Sequence, residues 1–377
     1  LWERVNNKLN NSTRARVPAH MPTSLTLITT YRCTAACAQC CFGGNPQEKS
    51  SLSVDEIRKH IKQASKTLPS LKLVVFTGGE CFLLGEGLAR AVATASECGF
   101  ASRCVTNGYW AVSKDSAAGK MALLKKAGLT EINFSTGDEH QKFVSFERIV
   151  WGATSAAEAG IKSLIAVEGS AESAFSIHEA LNHPGIEDFM RLSPFRKNLS
   201  FLTNVWIPFQ NGVKISQGKE LYRTKERLQN FKGCSNILDT VVINPNGGMF
   251  SCCGLTCRNI PEMDMGPLAK TSLADLYGSQ MLDFMKMWLW LDGPEKIMFF
   301  ASEKNPKVVF PENLSHPCQF CEQIFSNTEI HSTLQEHYKL KVTDVMFRYQ
   351  VSKNMRVYSD PSYACSGVES RKIGYGA

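Results

Sequence analysis

Three cysteines fall within eight residues, Cys33-Thr34-Ala35-Ala36-Cys37-Ala38-Gln39-Cys40, with three residues and then two between them. An apolar, β-branched run over residues 24–30 leads directly into them. A loop this tight cannot hold three thiols for packing alone, but it can aim three sulfurs at one point. A 4Fe-4S cluster is normally held by four thiolates. Three local ones leave one iron open for a further ligand, much as a catalytic zinc keeps an open position. The competing reading is a structural zinc knuckle or scattered buried cysteines, and three-and-two spacing straight after a strand is uncommon for zinc.

The other cysteines sharpen this reading. The 377 residues contain 14 cysteines. A secreted chain would pair them as disulfides, but residues 1–22 are polar and basic, with no apolar core of a signal peptide. No run of about 18 apolar residues offers a membrane span. Clustered cysteines in a chain read as cytoplasmic point to metal. With 43% hydrophobic and 20% charged residues the chain reads as globular, one large domain with an appendage or two domains. The net charge of +7 favours an anionic partner. It is spread along the chain without a dense basic run beside aromatics, so nucleic acid is not the expected partner.

After the cysteine loop, Ser53 and Glu56 stand in capping-box spacing at the start of a helix over 53–67. Strands are predicted over 71–76, 102–106, 131–135, 162–167 and 187–192, and helices over 84–98, 115–127, 146–159 and 174–182. Three of these helices run into a glycine, Gly99, Gly128 or Gly160. Strict alternation of strand and helix argues a parallel sheet with crossover helices, and six units make a partial (β/α)6 TIM-type barrel rather than the full eight. Ligands of such sheets sit at the C-terminal strand ends, the face on which the cysteine loop falls.

With these motifs in this order, the chain resembles the radical S-adenosylmethionine (radical SAM) enzymes, a family known for that partial barrel. The resemblance implies a 4Fe-4S cluster on Cys33, Cys37 and Cys40, the catalytic ligands, with S-adenosylmethionine on the open iron. It implies that Thr77-Gly78-Gly79-Glu80, ending the second strand, meets the methionine amino group. Two glycines let a backbone approach a ligand closely, and a carboxylate accepts bonds from an ammonium group. Asn107 is a candidate for the ribose or methionine, with a simple turn as the alternative. Ser135 and Asp138 are candidates at the fourth strand end, and Glu168 is a weaker one after the fifth. His140 reads as a surface histidine or, less readily, a general base. One departure stands out: Gln39 occupies a position where the family often has an aromatic residue over the adenine, and Phe42 follows Cys41. Cys41, next to Cys40, is expected to point its sulfur elsewhere; Cys81, Cys98 and Cys104 read as small buried hydrophobes.

Residues 194–232 lack a clean period and read as a connector across the barrel mouth, with Phe195, Phe201, Trp206 and Phe209 lining a pocket or packing. A second module, over 233–325, begins with a predicted hairpin around Asn244-Pro245-Asn246-Gly247, the strongest short-range hairpin signal. A helix over 272–291 follows. Cys234, Cys252 and the late pair Cys318-x-x-Cys321 resemble the twitch domain, the smaller relative of the SPASM domain. That resemblance implies a small α+β domain holding one auxiliary 4Fe-4S cluster closed by four thiolates. Cys253 or Cys257 could replace Cys252, and a zinc ribbon on the same thiols is the competing reading, since both use tetrahedral sulfur ligation. A C-terminal helix is expected to run to about residue 340, and the rest of 326–377, with Cys365, carries weak signals. Residues 1–23 form an N-terminal extension, and 24–193 the barrel.

The expectation is therefore a radical SAM oxidoreductase or maturase. The cluster, with an electron donor such as flavodoxin or ferredoxin, would cleave S-adenosylmethionine reductively to a 5′-deoxyadenosyl radical that abstracts a substrate hydrogen. The expected substrate is a ribosomally synthesised peptide, oxidised or crosslinked. The alternative is dehydrogenation or cyclisation of a small metabolite, such as a sugar alcohol or cofactor precursor. A third possibility, a non-catalytic iron–sulfur or zinc scaffold, is disfavoured by the presence of Gly78, Gly79 and Glu80. With 23 residues before the first strand, too few for a leader-binding winged helix, a peptide reading calls for a separate peptide-binding protein or recognition by 322–377.

Overall fold

The computed structural model describes residues 22–207 and 213–359. The N-terminal extension up to residue 21, Phe209 and the tail with Cys365 lie outside the described residues. Six parallel strands alternate with helices. They are β1 (Ser24–Ile28), β2 (Leu73–Thr77), β3 (Ala101–Thr106), β4 (Glu131–Thr136), β5 (Lys162–Gly169) and β6 (Leu199–Val205). The crossover helices are α1 (Val54–Thr67), α2 (Glu86–Glu97), α3 (Lys114–Ala127), α4 (Phe146–Glu158), α5 (Ile177–Leu181) and α6 (Pro184–Leu192). The sheet then continues through β7 (Thr240–Ile243), β8 (Gly248–Phe250) and β9 (Asp264–Pro267). Its order is β6-β5-β4-β3-β2-β1-β7-β8-β9, a mostly parallel nine-stranded α/β sheet consistent with a partial TIM-type barrel.

Local chemistry explains the helix starts. The Ser53 hydroxyl accepts from the Glu56 N–H while the Glu56 carboxylate accepts from the Ser53 N–H at 2.8 Å. A cap of this kind contributes about 1 kcal/mol. One face of α1, with Ile57, Ile61 and Ala64, is fully buried. Sheet residues Leu25, Leu27, Val74, Phe76, Ile132, Phe134 and Ile165 are fully buried in the same core. Each large apolar side chain removed from water contributes about 1.5–3 kcal/mol.

Several expectations need correction. The segment 187–192 is the body of α6, which starts from a His183 cap with Pro184 in its first turn. The sixth strand instead lies inside the segment read as a connector, where β6 pairs with β5 from Leu199 to Val205. The helix expected over 84–98 starts as a short turn over Cys81–Leu84 and breaks at Gly85 before α2. The long helix expected over 272–291 is two: α7 (Leu273–Gln280) and α8 (Phe284–Lys304). Asp283 caps α8 through the Met285 and Lys286 N–H groups, and α8 itself turns at Gly293 before Pro294. Cys318 and Cys321 lie inside α9 (Pro317–Ser326) rather than ahead of a helix. Two more helices, α10 (Thr328–His337) and α11 (Lys339–Ser359), follow, so helix continues well past residue 340.

The hairpin does form, antiparallel, with Val242 opposite Phe250. It is not a detached module, however. Its first strand, β7, pairs in parallel with β1, Ser24 with Thr240 through Leu27 with Ile243. β1 is thereby enclosed on both edges, and the cysteine loop leaves the sheet from a central strand.

Candidate active site

The loop between β1 and α1 is shaped by its neighbours. The Cys33 N–H donates to the Asn45 carbonyl at 3.1 Å, and the Cys40 N–H to the Cys37 carbonyl at 3.2 Å. The Gly79 N–H donates to the Thr30 carbonyl at 2.7 Å, and the Glu80 N–H to the Arg32 carbonyl at 3.0 Å. A Cβ on Gly78 would stand 2.3 Å from the Thr30 carbonyl oxygen, and one on Gly79 2.2 Å from that of Arg32. The close approach that these glycines permit is therefore to the cysteine loop itself. From the other module, Arg258 stacks 4.1 Å over the Tyr31 ring and donates to the Phe42 carbonyl.

Cys33, Cys37 and Cys40 line one cavity of about 250 Å³ at the C-terminal ends of the strands. Thr77, Gly78, Gly79, Asn107 and Ser135 line it too, so five of the seven expected cofactor contacts share a wall with the three thiols. Glu80 and Asp138 do not. Glu80 is 1% exposed, and its carboxylate accepts from Phe82 N–H at 2.9 Å, Asn107 N–H at 2.8 Å and the Thr106 hydroxyl at 2.9 Å. Asp138, at the start of a helical turn, accepts from the N–H groups of Ala174 and Phe175 at 2.8 and 2.9 Å, which holds the segment after β5. Both carboxylates are occupied by the protein's own backbone.

The three thiols suit a metal-bound thiolate. The Ala35 N–H points at Cys33 Sγ at 3.4 Å, and the Gly44 N–H at Cys40 Sγ at 3.3 Å. Backbone donors aimed at sulfur favour the charged form over the neutral thiol, a weak acceptor. Burial pushes the thiol of Cys33 up to about 11 and that of Cys37 to about 12, the latter helped by Cys40 and Cys33. A bound cation reverses that penalty, since a coordinating thiol is deprotonated outright. Among the described residues, no three His, Cys, Asp or Glu side chains converge tightly enough to hold a single metal ion. The ligands of a four-iron cluster bond different irons around a larger body.

The second set also comes together. A Cβ on Gly254 would lie 3.1 Å from Cys318 Sγ and 3.4 Å from Cys252 Sγ. Burial, then Cys252, Cys318 and Cys234, push the Cys321 thiol up. Cys257 lies beside the Cys252 thiol and, with burial, pushes it up. Cys253 and Cys41 both line the main cavity. Cys81 and Cys104 are fully buried, as expected of small hydrophobes, while Cys98 is only partly buried.

Sequence reasoning undervalued the wall opposite the thiols. His140, read first as a surface residue, has its side chain only 15% exposed. Its ring stacks on Trp206 with centroids 5.4 Å apart, and its Nδ1 lies 3.9 Å from Glu168. Glu168, hydrogen-bonded by Asn204, is pushed up to about 7 by burial, and burial pushes His140 down to about 4. His140, Glu168, Asn204 and Trp206 all line the cavity. For Glu168 a signal existed in its place at a strand end. Trp206 and Asn204 follow from β6, whose position was missed.

Comparison with known proteins agrees with this geometry. Residues 27–170 match the model of the radical SAM superfamily. The "Putative peptide biosynthesis protein YydG" of Bacillus subtilis (strain 168) is 25% identical over 118 residues, 31% of this chain. That match spans 37% of the relative's own length. The solved structure "Native anSMEcpe with bound AdoMet" superposes with a TM-score of 0.51 at 11% identity, covering 87% of this chain and 100% of that one. "Native anSMEcpe with bound AdoMet and Cp18Cys peptide" gives 0.50 at 11% identity, over 87% of this chain and 99% of that one. These likenesses show the fold. Among the described residues no helix is long and apolar enough to cross a membrane.

Proposed function

We propose, from the match of residues 27–170 to the radical SAM superfamily model, that this chain is an enzyme which binds a 4Fe-4S cluster on Cys33, Cys37 and Cys40 and S-adenosylmethionine in the cavity beside them, and oxidises a peptide. One observation carries this reading. The three thiols, the Gly78-Gly79 turn, Asn107 and Ser135 line a single cavity at the C-terminal strand ends. When bound, cluster and S-adenosylmethionine supply a carbon-centred radical that removes a hydrogen atom from the substrate. The chain's own part would be to hold the thiolates with the Ala35 and Gly44 N–H groups, to offer Gly78, Gly79, Asn107 and Ser135 on the cavity wall to S-adenosylmethionine, and to enclose the reacting atoms.

Cys234, Cys252, Cys318 and Cys321 are the set suited to an auxiliary cluster that takes the second electron. Peptide chemistry is supported by the printed name of the Bacillus subtilis relative and by the peptide in the anSMEcpe structure. A groove over Ala36, Cys37, Cys40, Gly43 and Arg258 reaches the cysteine loop from outside, and is where an electron donor of the flavodoxin or ferredoxin class would approach.

Anaerobic reconstitution followed by assay for 5′-deoxyadenosine tests the reading. The wild-type chain should form it under reduction, and the Cys33→Ala/Cys37→Ala/Cys40→Ala variant should not. Persistent formation in the triple variant defeats the assignment. Incubation with short peptides encoded beside the gene then tests the substrate, through the loss of two hydrogens by mass. Oxidation of a sugar-like compound, with no peptide altered, would replace the peptide reading with the metabolite one.

A further inference from the structure

Asn107, which leaves β3, places its side-chain nitrogen 3.6 Å from Cys33 Sγ and 3.1 Å from the Thr34 hydroxyl. The direction of that amide is set on its other side, where Oδ1 accepts the Tyr109 N–H at 3.0 Å. With the oxygen taken, the NH2 group faces the cysteine loop. The backbone of the same residue is pinned by the buried Glu80 carboxylate, which accepts the Asn107 N–H at 2.8 Å. Asn107 is itself 7% exposed, so water does not compete for the amide. Cys33 thus receives two donors, the Ala35 N–H and the Asn107 amide, and is 9% exposed.

From this geometry we infer that Asn107 is a positioning residue which hydrogen-bonds the Cys33 thiolate and thereby sets the reduction potential of the catalytic cluster. Hydrogen bonds to the sulfurs are one of the main protein controls on iron–sulfur potentials. A donor on sulfur stabilises the reduced cluster, which carries more negative charge, so Asn107 raises the potential and eases delivery of the electron to it. Glu80 acts through Asn107 by holding the backbone from which the amide reaches. The inference rests on the proposed cluster at Cys33, Cys37 and Cys40, and it gives Asn107 a task that does not require contact with S-adenosylmethionine.

The test is a redox titration of the reconstituted full-length chain without S-adenosylmethionine, followed by electron paramagnetic resonance. The wave absent from the Cys33→Ala/Cys37→Ala/Cys40→Ala variant identifies the catalytic cluster. Asn107→Leu, of similar volume but with no donor, should load the same iron and show about a tenfold lower ratio of reduced to oxidised cluster at fixed potential, which for one electron is a shift of about 59 mV to more negative values. Asn107→Asp, which sets an oxygen against the sulfur, should shift further in the same direction. Thr34→Ala disturbs the loop but spares the donor to sulfur and should leave the potential in place. An unchanged potential in Asn107→Leu at full iron loading overturns the inference while leaving the proposed function intact. So does an equal shift in Thr34→Ala, which would make the effect one of loop packing, or failure of both Asn107 variants to assemble the cluster. A wild-type chain that loads no cluster on the three cysteines would end the proposed function itself.

Discussion

The carboxylate of Glu80 accepts the backbone N–H of Asn107 at 2.8 Å, although one residue leaves β2 and the other β3. The same carboxylate holds Phe82 N–H and the Thr106 hydroxyl, so one buried acid ties together two strand ends under the cysteine loop. Glu80→Ala leaves those three donors unanswered in the interior. Each buried donor left unmatched costs about 1–3 kcal/mol. The expected outcome is a loss of about 3–5 kcal/mol in urea unfolding, with a smaller loss for Glu80→Gln, which keeps one oxygen. Equal stability of Glu80→Ala and the wild type would contradict the staple.

The glycine pair gives a graded test. Gly78→Ala meets both a φ of +138° and a Cβ placed 2.3 Å from the Thr30 carbonyl oxygen. Gly85→Ala meets a φ of +57° but nothing within 4 Å. The second should cost about 1–3 kcal/mol from backbone strain alone. Gly78→Ala should cost more than about 3 kcal/mol and lower iron loading, since the carbonyl it strikes belongs to the cysteine loop. Urea midpoints and iron content decide; a reversed order of the two midpoints defeats the account.

Replacing Cys318 and Cys321 separates the two proposed cluster sites. Wild type should carry about eight irons and Cys318→Ala/Cys321→Ala about four, because one cluster keeps its ligands. Formation of 5′-deoxyadenosine should persist in the variant while substrate oxidation stops. Zinc in place of the second four irons would instead support a zinc ribbon.

The facing pair His140 and Glu168 predicts opposed pH slopes. Burial raises Glu168 to about 7 in the folded state, so the folded chain holds a proton that the unfolded chain has released. Its contribution is complete below the ordinary carboxylate value and is lost as pH rises towards 7. Burial lowers His140 to about 4, so the unfolded chain holds the extra proton, and stability rises with pH between about 4 and 6.5. Each slope approaches about 1 kcal/mol per pH unit. Glu168→Gln should gain stability relative to wild type as pH goes from 5 to 7, and His140→Phe should gain as pH falls from 6.5 to 4. Urea unfolding across this range, with parallel curves for all three proteins, would show that neither group titrates in its window.

Much of the barrel could be read from local chemistry. Ser53 and Glu56 marked a helix start, Gly128 marked a helix end, and the three loop cysteines, expected from their spacing to face one point, line one cavity. What escaped reading depended on neighbours distant in sequence. β6 sits at the sheet edge with Leu202 half exposed, so Leu199–Val205 lacks the alternation of a strand with one buried face. Residues 187–192 mix apolar and charged residues as a short strand would, and Pro184 in the first turn of a helix was the overlooked signal. All four residues of β7 are buried, the pattern of a strand enclosed in a parallel sheet rather than an isolated hairpin. His140 is inside because Trp206 covers it, and nothing near residue 140 in the chain foretells that. Glu80 has the residue type of a ligand contact, but the N–H groups at the ends of two strands claim its oxygens first.

The pairing of β7 with β1 bears on how such a protein can be cut or recombined. A fragment ending before Thr240 would leave one edge of β1 without its partner, exposing a row of backbone donors and acceptors beside the cysteine loop. Open edges of this kind recruit foreign strands and aggregate. A chimera that exchanges the C-terminal portion of this chain must therefore carry a replacement for β7 in register with Ser24–Leu27. The seam for such engineering lies after β7, past Ile243, even though the cysteines of the second set begin before it at Cys234.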